Sequence, residues 1–226
     1  MAGAVVAEGA GPLVRFLRWC GLALVAGGVL IVVATLLHPA RETVSTIVAS
    51  ESRLVSAHVA YTLAWLLVLL GLPGLYAAQR GGMGRLGLVG FVTAFTGTYL
   101  IAVTGNFGFL APVLAKQAST VLDSINEYLP VVIINGLAAI LFMIGYALFG
   151  VAMIRTATLP RVSGVLVAVG APAHLLGFGI AQFVSAAAWA IAILGSVSLG
   201  AGVAWAGFRL WHTPAASDVL VSERPT

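Results

Sequence analysis

Six long apolar runs, separated by short polar segments, leave this chain no route to a water-soluble fold. With 61% hydrophobic and only 8% charged residues, it cannot clothe a globule in polar side chains. A hydrocarbon core about 30 Å thick is instead matched by helices of about 20 apolar residues. The runs cover residues 16–37, 54–78, 86–109, 131–154, 162–183 and 185–208. Inside lipid each must satisfy its own backbone, which a single segment does only as a helix. The sequence therefore predicts an all-α fold, a polytopic transmembrane six-helix bundle. Its connections are too short for a separate soluble domain, so residues 15–211 form one transmembrane domain. A Gly-rich N-terminal segment, 1–14, and a polar C-terminal tail, 212–226, are expected to be flexible.

The net charge of +4 is not a nucleic-acid signal, because the bases sit at the ends of runs rather than on one polar face. Arg15, Arg18, Arg80, Arg85, Arg155, Arg161, Arg209 and Arg224 fall on one side of the alternating topology, and Arg41, Arg53 and Lys116 on the other. Eight against three places both termini in the cytoplasm. Glu42, Glu51, Asp123 and Glu127 lie with the three outer bases, so three minus four leaves the outer side at −1. The first run is longer than a signal-peptide core and no small-residue cleavage site follows it, so it is expected to remain attached. Cys20 is the only cysteine, which excludes an intrachain disulfide.

Between the third and fourth runs, Leu114, Ala118, Val121, Leu122, Ile125, Tyr128 and Leu129 recur at helical spacing among polar residues. This predicts an outer amphipathic interfacial helix, read as a cap on the bilayer surface or a lid over a pocket. In the sixth run Ala188, Ala192, Ser196, Gly200 and Ala204 form a stripe of small residues at every fourth position. Such a stripe permits close backbone approach, either within the monomer or against a homo-oligomer or membrane-complex partner. Pro73 and Pro172 are expected to bend the second and fifth helices.

No Asp, Glu, Lys or Arg occupies the centre of any run, which disfavours a carboxylate-driven proton pump. Lys116, the only lysine, lies in an outer segment, so a retinal Schiff base is excluded. His174 lies thirteen residues after Arg161, roughly 20 Å above the cytoplasmic edge. His38, His58 and His174 thus share the outer leaflet. Tyr61, Thr62 and Trp65 follow His58 at intervals that keep them on one helical face. Asn106, Gln182 and Glu127 lie near outer helix ends. The candidate ligand-binding set is His58, Tyr61, Trp65, Asn106, His174 and Gln182, lining a polar outer-leaflet pocket.

His38, His58 and His174 are the candidate metal ligands, and His58 with His174 the one pair placed for bis-histidine haem ligation. No HExxH, CxxC or phosphate-cradling glycine motif is present, and no serine has a nucleophile setting. The expectation is a non-enzymatic protein.

From Leu37-His38-Pro39 through His58 to Gly71-Leu72-Pro73-Gly74-Leu75-Tyr76, the chain resembles bacterial six-span membrane proteins of uncharacterised activity. The likeness covers under a third of the chain. It implies a bacterial inner membrane and brings no activity or cofactor with it. Three functions remain open: a protein binding a small or lipidic ligand in the outer pocket, an accessory subunit packed through its sixth helix, and a haem or metal protein using the outer histidines.

Overall fold

The computed structural model describes residues 2–156 and 158–212; the rest of the expected tail, 213–226, lies outside the described residues. Among the described residues the chain is 91% helical with no strand, as an all-α bundle requires. In order the helices are α1 (Ala2–Leu37), α2 (Val44–Ala49), α3 (Glu51–Ala77), α4 (Arg80–Gly105), α5 (Ala111–Gln117), α6 (Ser119–Glu127), α7 (Leu129–Thr156), α8 (Arg161–Phe183) and α9 (Trp189–Trp211). Six stretches are long and apolar enough to cross a membrane, and they coincide with the six apolar runs. The protein is a multi-pass transmembrane helix bundle. Trp19 and Leu194, each 70% exposed, and Phe183, 85% exposed, would be untenable in water and are ordinary against lipid.

The spans form a ring in chain order. α1 packs on α3 and α9, α9 on α8, α8 on α7, and α7 on α4, while α3 and α4 meet more sparsely. Close backbone approach explains the difference. A Cβ added to Gly200 would lie 2.5 Å from the Gly28 carbonyl oxygen across the α1–α9 seam, and one added to Gly97 would lie 2.3 Å from the Phe142 nitrogen across α4–α7. Glycines likewise bring α1 against α3, α7 against α8 and α8 against α9. In lipid, where dispersion drives association, these contacts replace the missing hydrophobic force. No such glycine joins α3 to α4 among the described residues.

The small-residue stripe of the sixth span is taken up inside the chain. Gly200 faces α1, and Ala192 faces Gly177 of α8, where a Cβ would come within 2.2 Å of the Ala192 nitrogen. The core behind these seams includes Phe142, Tyr146, Phe149, Leu24, Leu72 and Leu199, all but closed to solvent.

Local structure adds to or departs from the sequence reading in several places. The outer amphipathic helix is two helices, because Ala118, at φ −154° and ψ 58°, breaks the register between α5 and α6. The break lets Ala111, Ala115 and Leu122 close with Ile47 and Leu54 into a second small core above the bundle. Its partner α2 had no signal in the run pattern; Thr43 starts it through a reciprocal capping box with Thr46. A non-helical turn falls at Gly84, at the start of α4, whose φ of 55° is open to glycine and costly for other residues. α1 is helical from Ala2, well before the run that starts at residue 16.

Candidate functional site

The cavity lies where the ring is loosest. It measures about 210 Å³ and is walled by His58, Tyr61, Thr62 and Trp65 of α3, Ile101, Ala102, Thr104 and Gly105 of α4, Asn135 of α7, His174, Leu175 and Phe178 of α8, and His38 with Glu42 just beyond the C-terminal end of α1. A groove of about 600 Å³ adjoins it through the shared residues His38, Glu42, Asn135 and Phe178. The groove continues between α7 and α8 past Val132, Gly179, Gln182 and Phe183.

His38 is placed by the end of α1. Its backbone N–H donates to Ala34 at 3.0 Å, and Pro39 then prevents further helix. Arg53 holds that terminus through Nε to the Leu37 carbonyl at 2.8 Å. The imidazole is 4% exposed and enclosed by His58, Tyr61, Phe178 and Trp189, the last stacked at 5.7 Å between centroids. Nδ1 lies 2.8 Å from the Pro39 carbonyl oxygen, so it carries the proton and donates. Nε2 lies 3.0 Å from Glu42 Oε1.

Glu42 reaches the site because the chain reverses at Pro39 and is clamped from α8. Its backbone N–H donates to Gln182 Oε1 at 2.9 Å, and Arg41 beside it donates from Nε to the Ala181 carbonyl at 2.9 Å. Burial pushes the Glu42 carboxyl upward, but the hydrogen bond from His38 and the charges of His38 and His58 outweigh it, holding the group below its ordinary value.

His58 is the unsatisfied member. It is 8% exposed, and its Nε2 has no hydrogen-bond partner. Gly108 covers the imidazole so closely that a Cβ there would lie 2.1 Å from Cε1 and Nε2. One ligand atom from each of His38, Glu42 and His58 falls within 4.8 Å of the other two.

Deeper in, Thr35 donates to the Ile31 carbonyl at 2.9 Å, which leaves Tyr61 to donate its phenolic proton to Thr35 Oγ1 at 2.7 Å. Trp65 stacks on Tyr61 at 5.9 Å with an interplanar angle of 5°. His174 is 2% exposed, with Nδ1 3.4 Å from the Ala192 carbonyl oxygen.

Of the residues selected from sequence, His58, Tyr61, Trp65 and His174 converge on the cavity. Asn106 stays on the rim, 3.1 Å from the Thr62 hydroxyl, and Gln182 lines the adjoining groove while holding the Glu42 backbone. His38 and His58 come together, but His174 does not complete a metal cluster with them. Tyr61 and Phe178 contact both His38 and His174, and Glu42 takes the third position instead. Glu127, at the end of α6, is exposed and lines neither the cavity nor the groove. Sequence reasoning missed Glu42, Asn135, Phe178 and Trp189. Glu42 had one usable signal, its i+4 spacing from His38. Comparisons with protein-family models, curated proteins and solved structures give no match.

Proposed function

We propose that this protein is a bacterial inner-membrane protein, with both termini in the cytoplasm, that binds a small amphipathic ligand in its outer-leaflet cavity. The observation that carries the reading is the buried, unpartnered Nε2 of His58 beside a cavity whose surface is mostly apolar, with Tyr61, Trp65, Ile101, Leu175 and Phe178 in its wall. A buried polar atom without a partner costs about 1–3 kcal/mol, a cost that a ligand supplying one hydrogen bond removes on binding. Convergent polar groups in a largely apolar cavity are the usual composition of a small-molecule site.

The volume of about 210 Å³ selects a ligand smaller than a phospholipid. The groove between α7 and α8 offers such a ligand, or one short acyl chain attached to it, a route from the lipid. Trp65 supplies the flat apolar wall, and His38, Glu42 and His58 supply the polar end.

Native mass spectrometry of protein purified in mild detergent tests this reading. Wild-type protein is expected to carry a bound small molecule that Trp65→Ala and His58→Ala both lose. A wild-type protein that carries nothing, or variants that retain the same molecule, would remove the basis for a ligand cavity.

A further inference from the structure

We infer that His38, Glu42 and His58 form a binding site for one divalent transition-metal ion of the Zn²⁺ or Fe²⁺ class, with an open coordination position facing the cavity. Two imidazoles and one carboxylate are a donor set that suits both ions. Zn²⁺ takes it with a fourth position left to water or substrate, and Fe²⁺ takes it as a facial triad. Mg²⁺ and Ca²⁺ are poorly served, because both require mainly oxygen ligands in higher number.

The groups around the three donors are arranged as outer partners of a metal site. His38 donates from Nδ1 to the Pro39 carbonyl at 2.8 Å, which turns Nε2 inward as the available donor. His58 keeps a buried Nε2 that nothing satisfies. The Gln182 amide fixes the Glu42 backbone at 2.9 Å.

An ion pair alone explains His38 and Glu42 but not His58. With Nδ1 donating to a carbonyl, the 3.0 Å contact between His38 Nε2 and Glu42 requires a second proton on that edge. A metal ion takes the place of that proton, keeps the attraction to the carboxylate and gives His58 Nε2 a partner. Ligand bonds of about 2.0–2.2 Å in tetrahedral geometry set donors roughly 3.4 Å apart. The present limit of 4.8 Å therefore calls for a contraction. Glu42, already 3.0 Å from His38 Nε2, lies outside the long helices, between α1 and α2, and its side chain is 34% exposed.

The open position is where the proposed ligand of the cavity would meet the ion, and to that extent the inference rests on the ligand reading. The two fail separately. The test uses chelator-treated full-length protein in mild detergent, titrated with Zn²⁺ alone and, anaerobically, with Fe²⁺ alone, with Mg²⁺ as comparison. Metal content and thermal unfolding are the readouts.

Wild-type protein is expected to take up about one equivalent of Zn²⁺ or Fe²⁺ with a rise in Tm, and no Mg²⁺. Glu42→Gln, which keeps the shape of a half-exposed side chain, and His58→Gln are each expected to weaken uptake at least tenfold. Glu127→Gln, at the exposed end of α6, should bind as wild type does. Absence of saturable uptake by wild type, or Glu42→Gln binding as tightly as wild type, overturns the inference. A metal-free wild type that still carries a molecule dependent on Trp65 overturns the ion and leaves the cavity reading. Stoichiometric metal in a protein carrying no molecule does the reverse.

Discussion

Single side chains in this bundle are expensive wherever they are polar, and two buried threonine–tyrosine pairs show how the chain satisfies them. Thr98 and Tyr146 repeat at 2.9 Å the arrangement that Thr35 and Tyr61 make at 2.7 Å. In each pair the threonine hydroxyl donates back to a carbonyl one turn earlier, so the tyrosine supplies the donor and the threonine oxygen accepts. Such bonds inside a membrane protein are worth about 0.6 kcal/mol on average and at most about 1.7, because the unfolded helices also find partners. A double-mutant cycle on Tyr61→Phe and Thr35→Val, read by reversible unfolding in bicelles, should give a coupling in that range. A coupling indistinguishable from zero would mean that the hydroxyls do not meet. Tyr61 also carries the Trp65 stack, so the cycle checks the cavity wall as well.

Among the elements, hydropathy located the spans and left their partners open. A run of twenty apolar residues announces a helix in lipid whatever surrounds it, so all six appeared at nearly their observed places. The stripe through Gly200 showed which face of α9 packs closely, but periodicity carries no information on which helix it meets. The three histidines do wall one cavity, whereas the sequence left rotation about each helix axis unspecified. That is why His174 looked equivalent to His38 and His58. Glu42 was hidden for a related reason: its approach depends on the reversal at Pro39 and on Gln182, 140 residues away in sequence. The break at Ala118 was equally invisible, because an apolar-polar alternation continues across it.

The α1–α9 seam makes a prediction of its own. Gly200→Leu sets a side chain where a bare Cβ would already lie 2.5 Å from the Gly28 carbonyl oxygen, and overpacking of this kind costs about 1–3 kcal/mol or more. Leu194→Ala on the lipid-facing side should cost well under 1 kcal/mol, since it removes contact only with lipid. Thermal unfolding of the two variants compares them directly, and equal losses would mean that Gly200 does not lie in a close seam.

For the whole molecule, the charges expected to orient the chain also bear on which side the cavity opens to. Two of the three bases at the cavity end, Arg41 and Arg53, are committed to helix ends. Arg53 donates to the Leu37 carbonyl at the end of α1, and Arg41 donates to the Ala181 and Val184 carbonyls at the end of α8. Cations at helix C-termini meet the negative end of the dipole, so these two have a structural reason to sit opposite the other arginines. Lys116 is paired with Glu51, which leaves the cavity end with little free positive charge. The eight remaining arginines therefore dominate orientation, and the His38, Glu42 and His58 end should face away from the cytoplasm. Cys20 is the single cysteine and is 4% exposed, so a Cys20→Ala background gives a clean test. In intact cells a membrane-impermeant maleimide should label Asp123→Cys, on exposed α6, and should label Arg80→Cys, at the exposed start of α4, only after the membrane is opened. The opposite pattern would turn the cavity toward the cytoplasm, and any ligand or metal reaching it would then have to come from the intracellular pool.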